Sequence, residues 1–178
     1  MQSVRFLRPC SEDDQHLDVG CGPGNFLQDR LLPHLRPCRR LVGVDSSWEM
    51  LDYAKRHCRE PEVAFEHLDI ERGEPQAIID KYGQFDRVYS FLTFHYVWDL
   101  ERAYRNVNRL LKAGGECLAV CFVRTGITEH MAQSLQQATM EAIHASEYLS
   151  TILGHIFTGK FKRMVVIICE YSLRAFGN

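Results

Sequence analysis

The sequence predicts an α/β fold with a doubly wound, mostly parallel sheet. Three observations predict it. Short apolar runs of strand character alternate with stretches of helical periodicity. A glycine-rich turn directly follows the first run, and aspartates stand near the ends of three runs. Strands separated by helical segments pair in parallel through right-handed crossovers, so helices cover both faces. Ligands in such sheets bind at the carboxyl ends of the strands, near the switch in strand order.

The elements follow in chain order. Residues 16–20 form a short strand that enters the glycine turn, and residues 25–32 read as a helix stopped by Pro33. Residues 40–45 are a second strand. Ser46 and Glu49 fit a capping box, in which each side chain satisfies an orphan backbone N–H. Met50, Leu51, Ala54 and Cys58 keep helical spacing after it. Residues 62–68 and 85–92 are the third and fourth strands. Leu100, Ala103, Tyr104, Val107, Leu110 and Leu111 mark an amphipathic helix, ended by Ala113-Gly114-Gly115. Residues 116–123 are a fifth strand. The spacing then predicts a helix over 127–145, a short helix over 147–157, and one last strand from Met164 to Leu173.

Length and composition bound the function. The chain has 178 residues, 46% hydrophobic and 25% charged, with a net charge of -2, which suits one soluble domain over 1–178. That balance gives no electrostatic case for nucleic acid or an anionic membrane. No apolar run reaches the roughly 18–20 residues of a membrane span, and Met1 to Cys10 has no signal-peptide core. The seven cysteines are odd in number, scattered and without a C-x-x-C, against a disulfide framework or a zinc site. Reduced thiols point to the cytoplasm.

The chemistry concentrates in Leu17-Asp18-Val19-Gly20-Cys21-Gly22-Pro23-Gly24-Asn25. Glycines let a backbone turn tightly and approach a ligand closely. A dinucleotide fingerprint would place its third glycine where this chain has Asn25, and no Lys-Ser/Thr follows as in a P-loop. The spacing therefore disfavours a nicotinamide oxidoreductase and favours a nucleoside ligand without a pyrophosphate. Asp45 ends the second strand about 20 residues on, where a carboxylate accepts from two ribose hydroxyls. Asp69 ends the third strand, where it can accept from an exocyclic amine while Ile70 packs the ring. Each aspartate singly also suits a cap or turn; three together favour a site.

These residues resemble a class I S-adenosylmethionine-dependent methyltransferase with a Rossmann-like sheet. The resemblance runs over residues 16–123. It is carried by Asp18 to Gly24, Leu41 to Met50, Phe65 to Ile70, Phe85 to Ser90 and Leu110 to Glu116. Gly22-Pro23-Gly24-Asn25, Phe91 to Asp99 and Gly114 to Leu118 are most similar to the arthropod juvenile hormone acid O-methyltransferases. That family methylates the carboxyl group of farnesoic acid and juvenile hormone acids.

The resemblance implies S-adenosylmethionine as cofactor and a small apolar carboxylic acid as substrate. It implies that Gly20, Gly22 and Gly24 admit the methionine part and that Asp18 holds the loop or the amino group. Asp45 grips the ribose, Ser46 lies under the adenosine, Asp69 and Ile70 frame adenine, and Ser90 borders the sulfonium. His95 either orients the substrate carboxylate, the one catalytic role on offer, or is an ordinary histidine at a helix start. Phe94, Tyr96 and Trp98 either wall the substrate or pack a helix. Cys21, beside a helix N-terminus, is expected to have a lowered pKa. No metal ligand set is expected.

Against that family, the chain looks shortened at both ends. Little precedes the first strand, and residues 124–178 diverge where two further strands are usual. The sheet is therefore expected to be incomplete after the fifth strand. Either Met164 to Leu173 covers the fifth strand, or an open edge leaves the chain unstable or pairs two copies. A cofactor-binding but catalytically inactive homologue is the alternative function.

Overall fold

The computed structural model describes residues 9–122 and 163–169, with side chains over 9–120. Its strands are β1 (Gln15–Val19), β2 (Arg40–Asp45), β3 (Val63–His67), β4 (Phe85–Phe91), β5 (Leu111–Phe122) and β6 (Arg163–Cys169). They form one sheet in the order β3-β2-β1-β4-β5-β6, and every described pairing is parallel. Strand order reverses between β1 and β4, so the switch point lies at the glycine turn.

Strand periodicity explains the two-sided burial. Successive side chains of a strand point to opposite faces. Val42, Val44 and Val88 join Leu17 and Val19 on one face. There they meet Ile78 of α3 (Gln76–Tyr82) and Ala103, Tyr104, Val107 and Leu110 of α4 (Leu100–Leu110). Leu41, Phe65 and Tyr89 point to the other face. They meet Leu32 and Leu35 of α1 (Leu32–Leu35) and Leu51 and Ala54 of α2 (Trp48–His57). Gly43 makes that second packing possible: a Cβ there would lie 2.8 Å from both Cys21 Sγ and Leu27 Cδ1.

Four local expectations change. Pro33 does not stop the first helix. A π-helical turn over Leu27–Leu31 precedes it, and the proline falls in the first turn of α1, where a missing N–H costs nothing. The cap of α2 is Ser47 and not Ser46: Ser47 Oγ accepts from Met50 N at 3.3 Å. Asp45 causes the shift, because its Oδ1 accepts from Ser47 N at 2.8 Å and fixes the turn one residue later. Helix α3 has no counterpart in the sequence reading, since seven residues are too few to show a period. β5 begins at Leu111, opposite Phe85, and resumes with Glu116 opposite Arg87 after an irregularity.

β6 lies beside β5 from Glu116 and Arg163 to Phe122 and Cys169, so the last strand covers the fifth. The helices expected over 127–145 and 147–157, and residues 170–173, lie outside the described residues. No described helix is long and apolar enough to cross a membrane.

One ion pair crosses the sheet interior. Arg87 Nε donates to Glu116 Oε2 at 2.9 Å, with side chains 3% and 8% exposed. Removing one member of a buried pair strands the other charge. Glu116→Ala is expected to destabilise the fold by about 3 kcal/mol in urea titration. A loss below about 1 kcal/mol would mean that Arg87 is already neutralised by other groups.

Candidate functional site

The site begins with one carboxylate. Asp45 Oδ2 accepts from Gly22 N at 2.8 Å while Oδ1 accepts from Ser47 N. The end of β2 thereby holds both the glycine turn and the start of α2. Val44 O adds to this by accepting from Gly20 N at 2.7 Å and Cys21 N at 3.0 Å. Gly20 has φ +75° and sits against Thr93: a Cβ there would lie 2.0 Å from Thr93 Oγ1. Thr93 and Ser90 bind the turn from the β4 side, donating to Val19 O at 3.2 and 3.0 Å.

A cavity of about 550 Å³ opens over these strand ends. Gly20, Gly22, Asp45, Ser46, Asp69 and Ile70 line it, as does Trp98. Sequence-selected residues from the ends of three strands and from the segment after β4 thus meet in one place. A Cβ on Gly22 would meet nothing within 4 Å, so open space lies over the turn. Asp69 Oδ1 accepts from Glu71 N and Arg72 N, both at 2.9 Å, and so shapes its own turn.

Other selected residues lie outside the lining. Asp18 is 3% exposed beneath the turn. Burial first, and the Asp45 charge second, push its carboxyl up to about 8. Cys21 is buried with its Sγ close to the Gly43 backbone, and its thiol is pushed up, not down. The cause is burial, then Asp18 and Asp45, which together outweigh a backbone hydrogen bond that acts the other way. Gly24 packs against Phe65 and Ala54. Ser90 is fully buried. Phe94 is 2% exposed and stacks on Tyr104 with ring centroids 4.6 Å apart, so it belongs to the core. His95 is half-buried, its ring 4.1 Å from that of Tyr96.

Ser47, Glu71, Arg72, Leu92 and Thr93 also line the cavity, although the sequence reading gave none of them a role. The bonds of Thr93 and Glu71 reach across 74 and 28 positions, distances that no local pattern records. Leu92 has φ +57°, a left-handed conformation that non-glycine residues rarely adopt. It marks a sharp turn where β4 leaves the sheet.

Residues 17–115 match the family model described as a methyltransferase domain. The chain belongs to that family. Its methyltransferase relatives include two juvenile hormone acid O-methyltransferases. The one from Drosophila melanogaster is 43% identical over 108 residues, covering 60% of this chain and 36% of the relative. The one from Bombyx mori is 40% identical over 114 residues, covering 64% of this chain and 40% of the relative. The chain thus matches well under half the length of these curated relatives. A solved structure of Haemonchus contortus phosphoethanolamine N-methyltransferase 2, in complex with S-adenosyl-L-methionine, shares the fold. It has a TM-score of 0.60 at 20% identity, covering 83% of this chain and 34% of that one.

The methyltransferase domain carries a pH signature in Asp18. Its folded-state value, about 8, lies above the ordinary 3.8, so ionising Asp18 opposes folding. This contribution to stability is complete below about pH 4 and is lost as pH rises towards 8. Urea midpoints measured at pH 5 and pH 8 should fall in the parent. The fall should be smaller in Asp18→Asn. Equal falls would show that Asp18 is not the group responsible.

Proposed function

We propose that the cavity binds S-adenosylmethionine and that the chain methylates the carboxylate of a small apolar acid, such as farnesoic or juvenile hormone acid. The observation that carries the first half is the charge of the lining. Asp45, Asp69 and Glu71 supply carboxylates, and Arg72 is the one base among the described lining residues. Such a collar accepts hydrogen bonds and favours a cation. S-adenosylmethionine presents ribose hydroxyls, an adenine amine, an ammonium and a sulfonium. A pyrophosphate would meet repulsion there.

When bound, this cofactor supplies an electrophilic methyl group. Asp45 keeps lone pairs beyond the two used by Gly22 and Ser47, and these suit ribose hydroxyls. Asp69 and Ile70 suit the adenine edge and face. Asp18 stands below the turn, ready to answer a cationic group by giving up its proton.

The apolar acceptor follows from the rim. Tyr96 and Trp98 are each 75% exposed, with Leu92 at 47% and Met50 at 44%, all lining the cavity. Exposed large apolar side chains gathered at one mouth mark a binding surface. A carboxylic acid is already ionised at pH 7, so the reaction needs no general base. Orientation and removal of water suffice, and the described lining residues include no Ser-His or Cys-His pair. The similarity to juvenile hormone acid O-methyltransferases supports the same acceptor class.

A tritiated-methyl transfer assay across a panel of small carboxylic acids tests the reading. Farnesoic acid should be labelled and acetate should not. In Asp45→Ala, cofactor binding should weaken by about 2 to 4 kcal/mol, from two lost charge-assisted hydrogen bonds. An unchanged dissociation constant would remove Asp45 from the site. Binding without transfer to any acid would support the inactive-homologue alternative.

A further inference from the structure

Two segments that line the cavity lie side by side. One is the turn after β3, with Asp69, Ile70, Glu71 and Arg72 in the lining. The other is the segment after β4, with Leu92, Thr93, Tyr96, Val97 and Trp98. Glu71 joins them. Its Oε2 accepts from Trp98 N at 3.3 Å and its Oε1 from Asp99 N at 3.1 Å.

The surrounding bonds define what Glu71 does. The turn is already fastened to α4 without it. Asn106 Nδ2 donates to Ile70 O at 2.9 Å and Gly73 O at 3.2 Å, and Arg102 Nη2 donates to Arg72 O at 3.1 Å. Helix α4 has its own cap, since Asp99 Oδ1 accepts from Arg102 N at 2.9 Å. Both bonds of Glu71 therefore fall on the residues before the helix, where the aromatic wall of the cavity ends. A carboxylate bridging two backbone N–H groups fixes their distance from the turn that carries it.

We propose that Glu71 is a positioning residue that couples occupancy of the adenosine side to the placement of the Tyr96–Trp98 wall. The proposal rests on reading the cavity as an S-adenosylmethionine site. Ligand against Asp69 and Ile70 steadies the turn. Glu71 passes that order to Trp98 and Asp99, and the wall is then set for the acceptor. Loss of Glu71 weakens acceptor binding by a larger factor than cofactor binding.

Hydrogen exchange on the full chain, with and without S-adenosylhomocysteine, tests this in the parent, Glu71→Ala and Glu71→Gln. In the parent, the ligand should slow exchange in peptides over 69–73 and over 96–99. In Glu71→Ala, the slowing over 69–73 should persist and that over 96–99 should disappear. Glu71→Gln keeps one carbonyl acceptor and should fall between. KM for farnesoic acid should rise about tenfold in Glu71→Ala, a larger factor than the change in kcat or in the cofactor dissociation constant. A response over 96–99 that is the same in parent and Glu71→Ala overturns the proposal, as does an unchanged KM. Absence of any response over 69–73 in the parent overturns the cofactor reading itself, and the coupling with it.

Discussion

The Asp45 carboxylate stands where β2 stops, and it is shared between two chain segments. One oxygen takes the N–H of Gly22 and the other the N–H of Ser47. Without the first bond, the turn from Gly20 to Gly24 loses one of the contacts that hold it at the sheet. Without the second, α2 loses the turn that sets its cap at Ser47. Parallel strands bring this about: β1 and β2 run together from Gln15 and Arg40 to Val19 and Val44, so their carboxyl ends emerge side by side. The cavity is a consequence of that register.

Its chemistry follows from placing acceptors at adjacent strand ends. Asp18 and Asp45 are close enough for the second to raise the first. Burial is the larger cause of that rise, and the Asp45 charge the smaller. Among the described lining residues the acidic ones, Asp45, Asp69 and Glu71, outnumber the one base, Arg72. The apolar rim from Leu92 to Trp98 then divides the cavity into an acidic floor and a greasy mouth.

Much of this was legible in the sequence, and the reasons for the gaps are physical. The alternation of strands with helices, the glycine turn and the terminal aspartates are local patterns, so the sheet and this part of the cavity lining could be read directly. Gly20, Gly22, Asp45, Ser46, Asp69 and Ile70, all singled out in the sequence, line one cavity. Phe94 looked like part of an aromatic wall, but its place was decided by Tyr104, ten residues on, against which it stacks in the core. Cys21 was placed beside a helix end, yet its thiol turns to Gly43 and is buried. Pro33 looked like a stop, but the π-helical turn before it shifted the frame. Thr93 and Glu71 act through bonds to residues far away in the chain, and one sequence holds no record of such bonds.

The central claim is that the floor of this cavity is built for a cationic nucleoside. Isothermal titration calorimetry with S-adenosylmethionine and with NAD, at one pH and ionic strength, tests it most directly. The account predicts saturable one-to-one binding of S-adenosylmethionine and no measurable heat from NAD. Binding of NAD with equal or greater affinity, or no binding of S-adenosylmethionine by the folded chain, would contradict it.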